Sequence, residues 1–420
     1  MAAQWWQNKR PLGAKGMPTM KKLLSLLILL TILLSATACA KEINYPDLAA
    51  YAGCVNGLGV EYGVPTILWD CSVHIDRKTL NLNSPGYVEA IMAQYPAGRT
   101  PGNGGDDALF EPEDPFRAAS NMGPGFNLGN TLDSTSYNLN DAKAGKIGWI
   151  LQWGQKGADG KVLPKAFETA WGQPQVTAAQ ADYILSLGFG TVRVPVTWAE
   201  HLDENGTIDP AWMDRVEEVV SLFHSRGAYV ILNVHHDGGA DGWAEASEAS
   251  YNAYSARFAG IWQQIARRFE RYDERLMFEG INEMLDEHNN WNTPSPEAAK
   301  WHNAWNSLFV KTVRATGGNN AQRNLLLMTY SGGGSETNFT SLTLPEGDEH
   351  LMITVHNYDP QAFTWTTATW TTMTARWDAA VHGEMLRKSF EVYKKYSDLY
   401  GVPVVLGEYN ADPKAYEDYE

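Results

Sequence analysis

From Asp114 onward, short apolar runs rich in β-branched residues alternate with longer stretches whose apolar positions recur every three or four residues. The short runs are GFNLG (125–129), GTVRVPV (190–196), AYVILNV (228–234), LMFEGI (276–281), NLLLMTY (324–330), LMITVH (351–356) and VPVVLG (402–407). Helical spacing fills 177–187, 210–226, 250–272, 296–316 and 379–400. Runs that are apolar on both faces describe strands covered on both sides. Strands alternating with helices describe βαβ units on a parallel sheet, so the chain is of the α/β class.

The closure of that sheet follows from where the polar residues fall. An open nucleotide-binding sheet carries a glycine-rich turn after its first strand, and neither GxGxxG nor GxxxxGK[ST] is present. Instead, Asn130, Arg193, His235, His236, Glu283, His356, Tyr358 and Glu408 come just after or at the ends of successive strands. A (β/α)8 TIM barrel builds its active site from those ends.

Two carboxylates stand out. Glu283 ends the fourth of these strands and Glu408 the seventh, which on a closed barrel face each other across the mouth. Retaining glycoside hydrolysis uses two carboxyls about 5–5.5 Å apart. At that separation and an effective dielectric near 20, their repulsion is about 3 kcal/mol, roughly two pKa units, so one stays protonated while the other ionises. Arg193 is the candidate to hold the ionised carboxylate. Asn282, beside Glu283, offers a neutral hydrogen-bonding group and a contact for a sugar hydroxyl, and Tyr358 offers a hydroxyl to the nucleophile. Glu279 shares parity with Glu283 and reads as structural, a partner for Arg193.

Composition sharpens this in two ways. The formal charge of −16 provides no basic face for nucleic acid. Sixteen Trp and nineteen Tyr suit either a large core or an aromatic-lined groove for sugar faces. Trp171, Trp198, Trp243 and Trp291 follow strands and are candidates to stack on sugar rings, each equally suited to packing a loop. His235-His236-Asp237 has the look of ligands, but without HExxH, CxxC or a third ligand cluster a hydrogen-bonding role is preferred and no metal is assigned.

The N-terminus has its own organisation. Lys21 and Lys22, then LLSLLILLTILLS and the small residues of ATACA, read as an export signal within residues 1–40, with Met20 the preferred start. Cleavage before Cys39 would leave a lipid-anchored cell-surface or periplasmic protein, and free secretion is the alternative. Residues 41–113 are rich in Gly, Pro and Asn and end in a linker-like PAGRTPGNGGDD. What precedes that linker reads as a small β module or a truncated relic, and Cys54 and Cys71 either pair to close a short loop or stay separate thiols.

The motifs NLGNTLDS (127–134), ETAWGQP (168–174), GFGTVRVPVTW (188–198), VILNVHHD (230–237), FEGINE (278–283), HNYDP (356–360) and VVLGEYN (404–410) resemble glycoside hydrolase family 5, especially its bacterial endoglucanase and xyloglucanase subgroup. The resemblance runs from about Asp114 to the C-terminus. It implies a retaining mechanism with Glu283 as acid/base and Glu408 as nucleophile, and no cofactor. The supporting residues it implies are Arg193, His235, His356 and Tyr358, with Asn130 and His236 as sugar contacts; Asn282 joins the support and Trp198 the sugar contacts from their places at strand ends. The implied enzyme is a monomeric endo-β-1,4-glucanase acting on a β-glucan. Xyloglucanase, lichenase, mannanase or a non-catalytic carbohydrate-binding barrel are the alternatives. One departure matters: the family's eighth strand, its helix and the Trp that stacks under the cleaved sugar do not follow Glu408 within the remaining twelve residues. A βα unit needs about 30 residues, so the expectation is a barrel over 114–420 that lacks its last β/α unit.

Overall fold

Seven strands form where the apolar runs predict them, and an eighth comes from a stretch expected to lie outside the barrel. A computed structural model describes residues 41–96 and 110–419. Its barrel strands are β1 (Thr66–Asp70), β2 (Gly125–Leu128), β3 (Thr191–Val194), β4 (Tyr229–Asn233), β5 (Leu276–Glu279), β6 (Leu325–Met328), β7 (Leu351–His356) and β8 (Val404–Tyr409). All neighbours are parallel and the sheet closes on itself, with β1 between β8 and β2.

This corrects the expectation of an incomplete barrel, and with it the barrel boundary at 114. Thr66 pairs with Leu406 and Ile67 with Gly125, so the edges that a missing strand would leave open are both hydrogen-bonded. The physical reason is that TILWD is a short apolar run able to be buried on both faces, and β1 indeed has four of its five residues buried. The expected leader in residues 1–40, with Cys39, and all but the first residue of the linker-like PAGRTPGNGGDD lie outside the described residues. Cys54 and Cys71 are free thiols.

Two apolar layers hold the structure. Inside the barrel, Ile67, Ile231, Met277, Leu326, Met352 and Val405 form a separate buried cluster with Ala118 and Met122. The last two belong to α3 (Pro115–Met122), which follows α1 (Tyr45–Tyr62) and α2 (Tyr87–Met92) in the chain. Asp114 caps α3 by accepting from the amides of Phe116 and Arg117, with proline at its first position. Outside, the larger core packs the strands against helices α4 (Ala178–Ser186), α5 (Pro210–His224), α6 (Glu248–Arg268), α7 (Pro296–Ala315) and α8 (His382–Tyr400). The first four of these helices start where a side-chain oxygen takes an orphan amide, at Thr177, Asp209, Ser247 and Ser295. Apolar filling below leaves the polar inward residues at the upper rim.

Candidate active site

The two carboxylates meet at that rim. One oxygen each of Glu283 and Glu408 and a ring nitrogen of His356 lie within 4.8 Å of one another. Each acid is aimed by a local backbone device. On β8 the register with β7 shifts between Leu406 and Glu408, a bulge that redirects the side chain that follows. Gly407 makes this possible. A Cβ there would lie 2.7 Å from Thr354 Oγ1 and 3.3 Å from the His356 ring. Glu283, four residues past Glu279, sits at φ 42°, a left-handed conformation that costs a non-glycine residue about 1–2 kcal/mol and persists only where its surroundings impose it.

Arg193 organises the floor. It is completely buried and spends its donors on four side chains. Its Nε and Nη2 fork onto Glu279, Nη2 also reaches Asn282 Oδ1 at 2.8 Å, and Nη1 donates to Asn127 Oδ1 at 3.0 Å and Glu408 Oε1 at 2.7 Å. Burial opposes its charge, but Glu279 and Glu408 outweigh that and raise its pKa, so it remains a cation. Glu279 is therefore the buried counter-ion that the strand parity suggested. Asn127 was not singled out as a site residue. Its alternation with Leu128 in β2 was the signal that it points inward.

Glu408 takes a second donor, the Tyr358 hydroxyl at 2.8 Å, whose own pKa is pushed far up by burial and by Glu408. Glu283 has a different setting. It accepts from His356 Nδ1 at 2.7 Å, and its side chain retains 22% exposure against 6% for Glu408. Burial disfavours charge on both Glu283 and His356. The short bond between them nevertheless lowers the carboxyl and, with Glu408, raises the imidazole, which are two descriptions of one shared proton. Glu408 is raised above the ordinary carboxylate range by burial and by the charge of Glu283, against the pull of His356 and Arg193.

The remaining predicted residues divide. His235 is buried and kept neutral, first by burial and then by neighbouring cationic groups. Its Nδ1 pairs with the Asn233 side-chain amide at 3.0 Å. His236 stands at the rim, with Nε2 3.7 Å from Asp133 and the Trp171 ring 5.2 Å away between centroids. Asp133, His235 and His236 do form a three-residue cluster that the sequence had not suggested. Asp133 already accepts from the Asn130 and Thr131 amides, however, and His235 Nδ1 is committed to Asn233, so hydrogen bonds occupy two of the three, while His236 Nε2 is buried without such a partner. Asn130 is in the left-handed region at φ 58°, where asparagine is at home.

Trp198 is a correction. It is wholly buried, its indole NH donates to Asn233 O and its amide to Asp237, so it cannot stack on a sugar. Its chain turns back onto α5 and the barrel wall immediately after β3. Trp243 is likewise buried, whereas Trp291 is 53% exposed. The aromatic at the mouth that sequence reasoning missed is Trp69 on β1. It shares parity with the inward Ile67, is half-buried, and lies parallel to His235 at 5.6 Å with 5° between planes. The Trp expected after Glu408 and not found there thus has a counterpart from the opposite end of the sequence.

A barrel rim with a carboxylate pair, an arginine bonded to one of them and a tryptophan stacked on the neighbouring His235 invites comparison with known proteins. The profile of the cellulase family, glycosyl hydrolase family 5, matches residues 156–419. The chain belongs to glycosyl hydrolase family 5. It is 34% identical over 292 residues to endoglucanase A of Clostridium longisporum, covering 69% of this chain and 52% of that protein. Among solved structures, a broad-specificity family-5 endoglucanase of Ruminococcus champanellensis with bound cellotriose is 34% identical, with a TM-score of 0.63 over 74% of this chain and 84% of that one. The family-5 enzyme of Prevotella bryantii B14 bound to a xyloglucan tetradecasaccharide is 36% identical, with a TM-score of 0.61 over 71% and 79%. The chain spans about half the length of the first of these relatives. The family-5 profile begins beyond β1 and β2, so neither strand lies in the matched stretch.

Proposed function

We propose that this family-5 barrel is a retaining endo-β-1,4-glucanase. The observation that carries the reading is the grouping of Glu283, His356 and Glu408 within 4.8 Å, close to the carboxyl separation of double displacement and short of the roughly 6.5–9.5 Å used by single displacement. Glu408 is the nucleophile: Arg193 and Tyr358 both donate to it, fixing its oxygens and opposing the upward shift that burial and Glu283 impose. Glu283 is the acid/base. The proton it shares with His356 is the one delivered to the leaving oxygen, and the same carboxylate later takes a proton from the water that releases the glycosyl-enzyme. Asn282, tied to Arg193 through its oxygen, presents its NH2 for the sugar 2-hydroxyl. His236 and Asn130 stand at the rim as polar sugar contacts, His235 supports them from below, and Trp69 offers a flat face to a glucosyl ring.

The test is covalent. Incubation with a 2-deoxy-2-fluoro cellobioside bearing a good leaving group should add one glycosyl mass, mapped to Glu408. Labelling elsewhere, or none with an active enzyme, would refute the role assignment. Xyloglucan is the second substrate to try, because a neighbour of similar fold holds it. A catalytically idle carbohydrate-binding barrel would retain glucan without releasing sugar. Export is supported by the charged, apolar and small-residue segments of residues 1–40. A chain recovered only in the cytoplasm would refute export, and Cys39→Ser releasing it from membranes would favour a lipid anchor.

A further inference from the structure

We propose that residues 43–92 are the barrel's closing βα unit carried at the front of the chain, so that the strand order is rotated by one relative to the stretch bearing the family motifs. Counted from GFNLG in β2, Glu283 follows the fourth strand and Glu408 lies on the seventh, and the seat after Glu408 is taken by β1. The helix α1 precedes β1 and α2 follows it, so the front segment brings a complete unit rather than a stray strand.

The geometry of the ends supports the rotation. Ile43 and Ala415 are antiparallel bridge partners. The Asn44 amide donates to Lys414 O at 2.9 Å, and the Lys414 amide to Asn44 Oδ1 at 2.8 Å. Two antiparallel segments bridged in this way have the arrangement of hairpin arms, which a turn of a few residues can join. The opposite junction, between Met92 and Pro115, contains the linker-like PAGRTPGNGGDD, the kind of site where a chain can be opened.

The unit also grips the segment that follows the proposed nucleophile. Asn56 Nδ2 donates to the Tyr409 hydroxyl at 2.8 Å, the Tyr51 hydroxyl donates to Asn410 O at 3.3 Å, and His74 Nε2 donates to Asn410 Oδ1 at 2.8 Å. His74 is itself buried, stacked on Tyr87 at 3.7 Å and paired with Ser84. The two residues after Glu408 are thus held from the front unit on three sides.

Two measurements test this. In the full chain, hydrogen exchange should show amides of 66–70 protected to the same order as those of 404–409. Free exchange at 66–70 beside a protected β8 would overturn the proposal. A reordered chain, 110–419 followed by a short turn and 43–96, should give the same circular dichroism and kcat/KM within about threefold of the original, an unchanged barrel costing little in transition-state binding. A reordered chain that does not fold would overturn it too. The activity arm rests on the proposed glucanase reading. If both chains fold with protected β1 but neither cleaves glucan, the rotation stands and that reading fails.

Discussion

Two arginines, both fully buried, sit in contrasting surroundings in this barrel. Arg193 at the rim is surrounded by acids and amides: Glu279, Glu408, Asn127 and Asn282. Arg323, just before β6, meets mostly backbone carbonyls, those of Asp273, Leu276, Phe269, Glu270 and Tyr272, with Asn320 Oδ1 on its Nε and the Phe278 ring 5.1 Å away. Carbonyl dipoles stabilise a buried cation less than carboxylates do, and burial draws the Arg323 pKa down to about 9 while that of Arg193 rises. The difference separates two uses of one side chain. Arg323 staples loops that would otherwise bury unpaired carbonyls. Arg193 lends its charge to two carboxylates, one of which faces a cleft.

The comparison breaks most sharply at the acids Arg193 serves. Glu408→Gln should abolish turnover of carboxymethyl-cellulose, because no glycosyl-enzyme can form, and Glu283→Gln should lower kcat by about 10²–10⁴-fold, the usual worth of a positioned acid or base. Near-wild-type rates from either would remove the rim from the chemistry. Next come the arginines themselves. Arg193→Met leaves Glu279 and Glu408 buried and uncompensated, so it should cost about 3–5 kcal/mol by chemical denaturation and most of the activity. Arg323→Met leaves carbonyls unpaired at about 1–3 kcal/mol each, and the folded fraction should keep kcat within about twofold. Equal activity losses would erase the distinction.

Two tryptophans give a smaller contrast. Trp198→Ala should cost about 3–5 kcal/mol in stability, as a core cavity does. Trp69→Ala should raise KM by roughly tenfold, the worth of about 1–1.5 kcal/mol of ring stacking. The smallest effect is in the pH profile. Glu408 is raised, so its ionised form, and the rate, should fall on the acid side above the ordinary carboxylate range. His356 is raised through Glu283 and Glu408, so the shared proton, and the rate, should be lost on the basic side as pH climbs past the usual imidazole range. His356→Asn should move the basic limb and leave the acid limb near its place.

Most of this site was legible because its residues follow short, unmistakable strands. FEGINE and VVLGEYN announce Glu283 and Glu408, and parity along β5 suggested Glu279 as the partner of Arg193. What escaped reading was non-local. TILWD has the composition of a strand, but its partners in β8 are more than 300 residues away, and the polar, glycine-rich surroundings masked it. Trp198 was misread and Trp69 passed over for a related reason. Proximity to a strand end says nothing of whether the chain then folds back, as it does after β3, whereas inward parity within a strand does, and Trp69 had that parity only once β1 was recognised.

The central claim is that two acids within reach of one glycosidic bond cut it by double displacement. Proton NMR of the first product released from a reduced cello-oligosaccharide tests it directly, before mutarotation sets in. The account predicts that the β-anomer appears first. Initial release of the α-anomer would mean a single displacement by water, and would contradict the assignment of Glu408 as nucleophile.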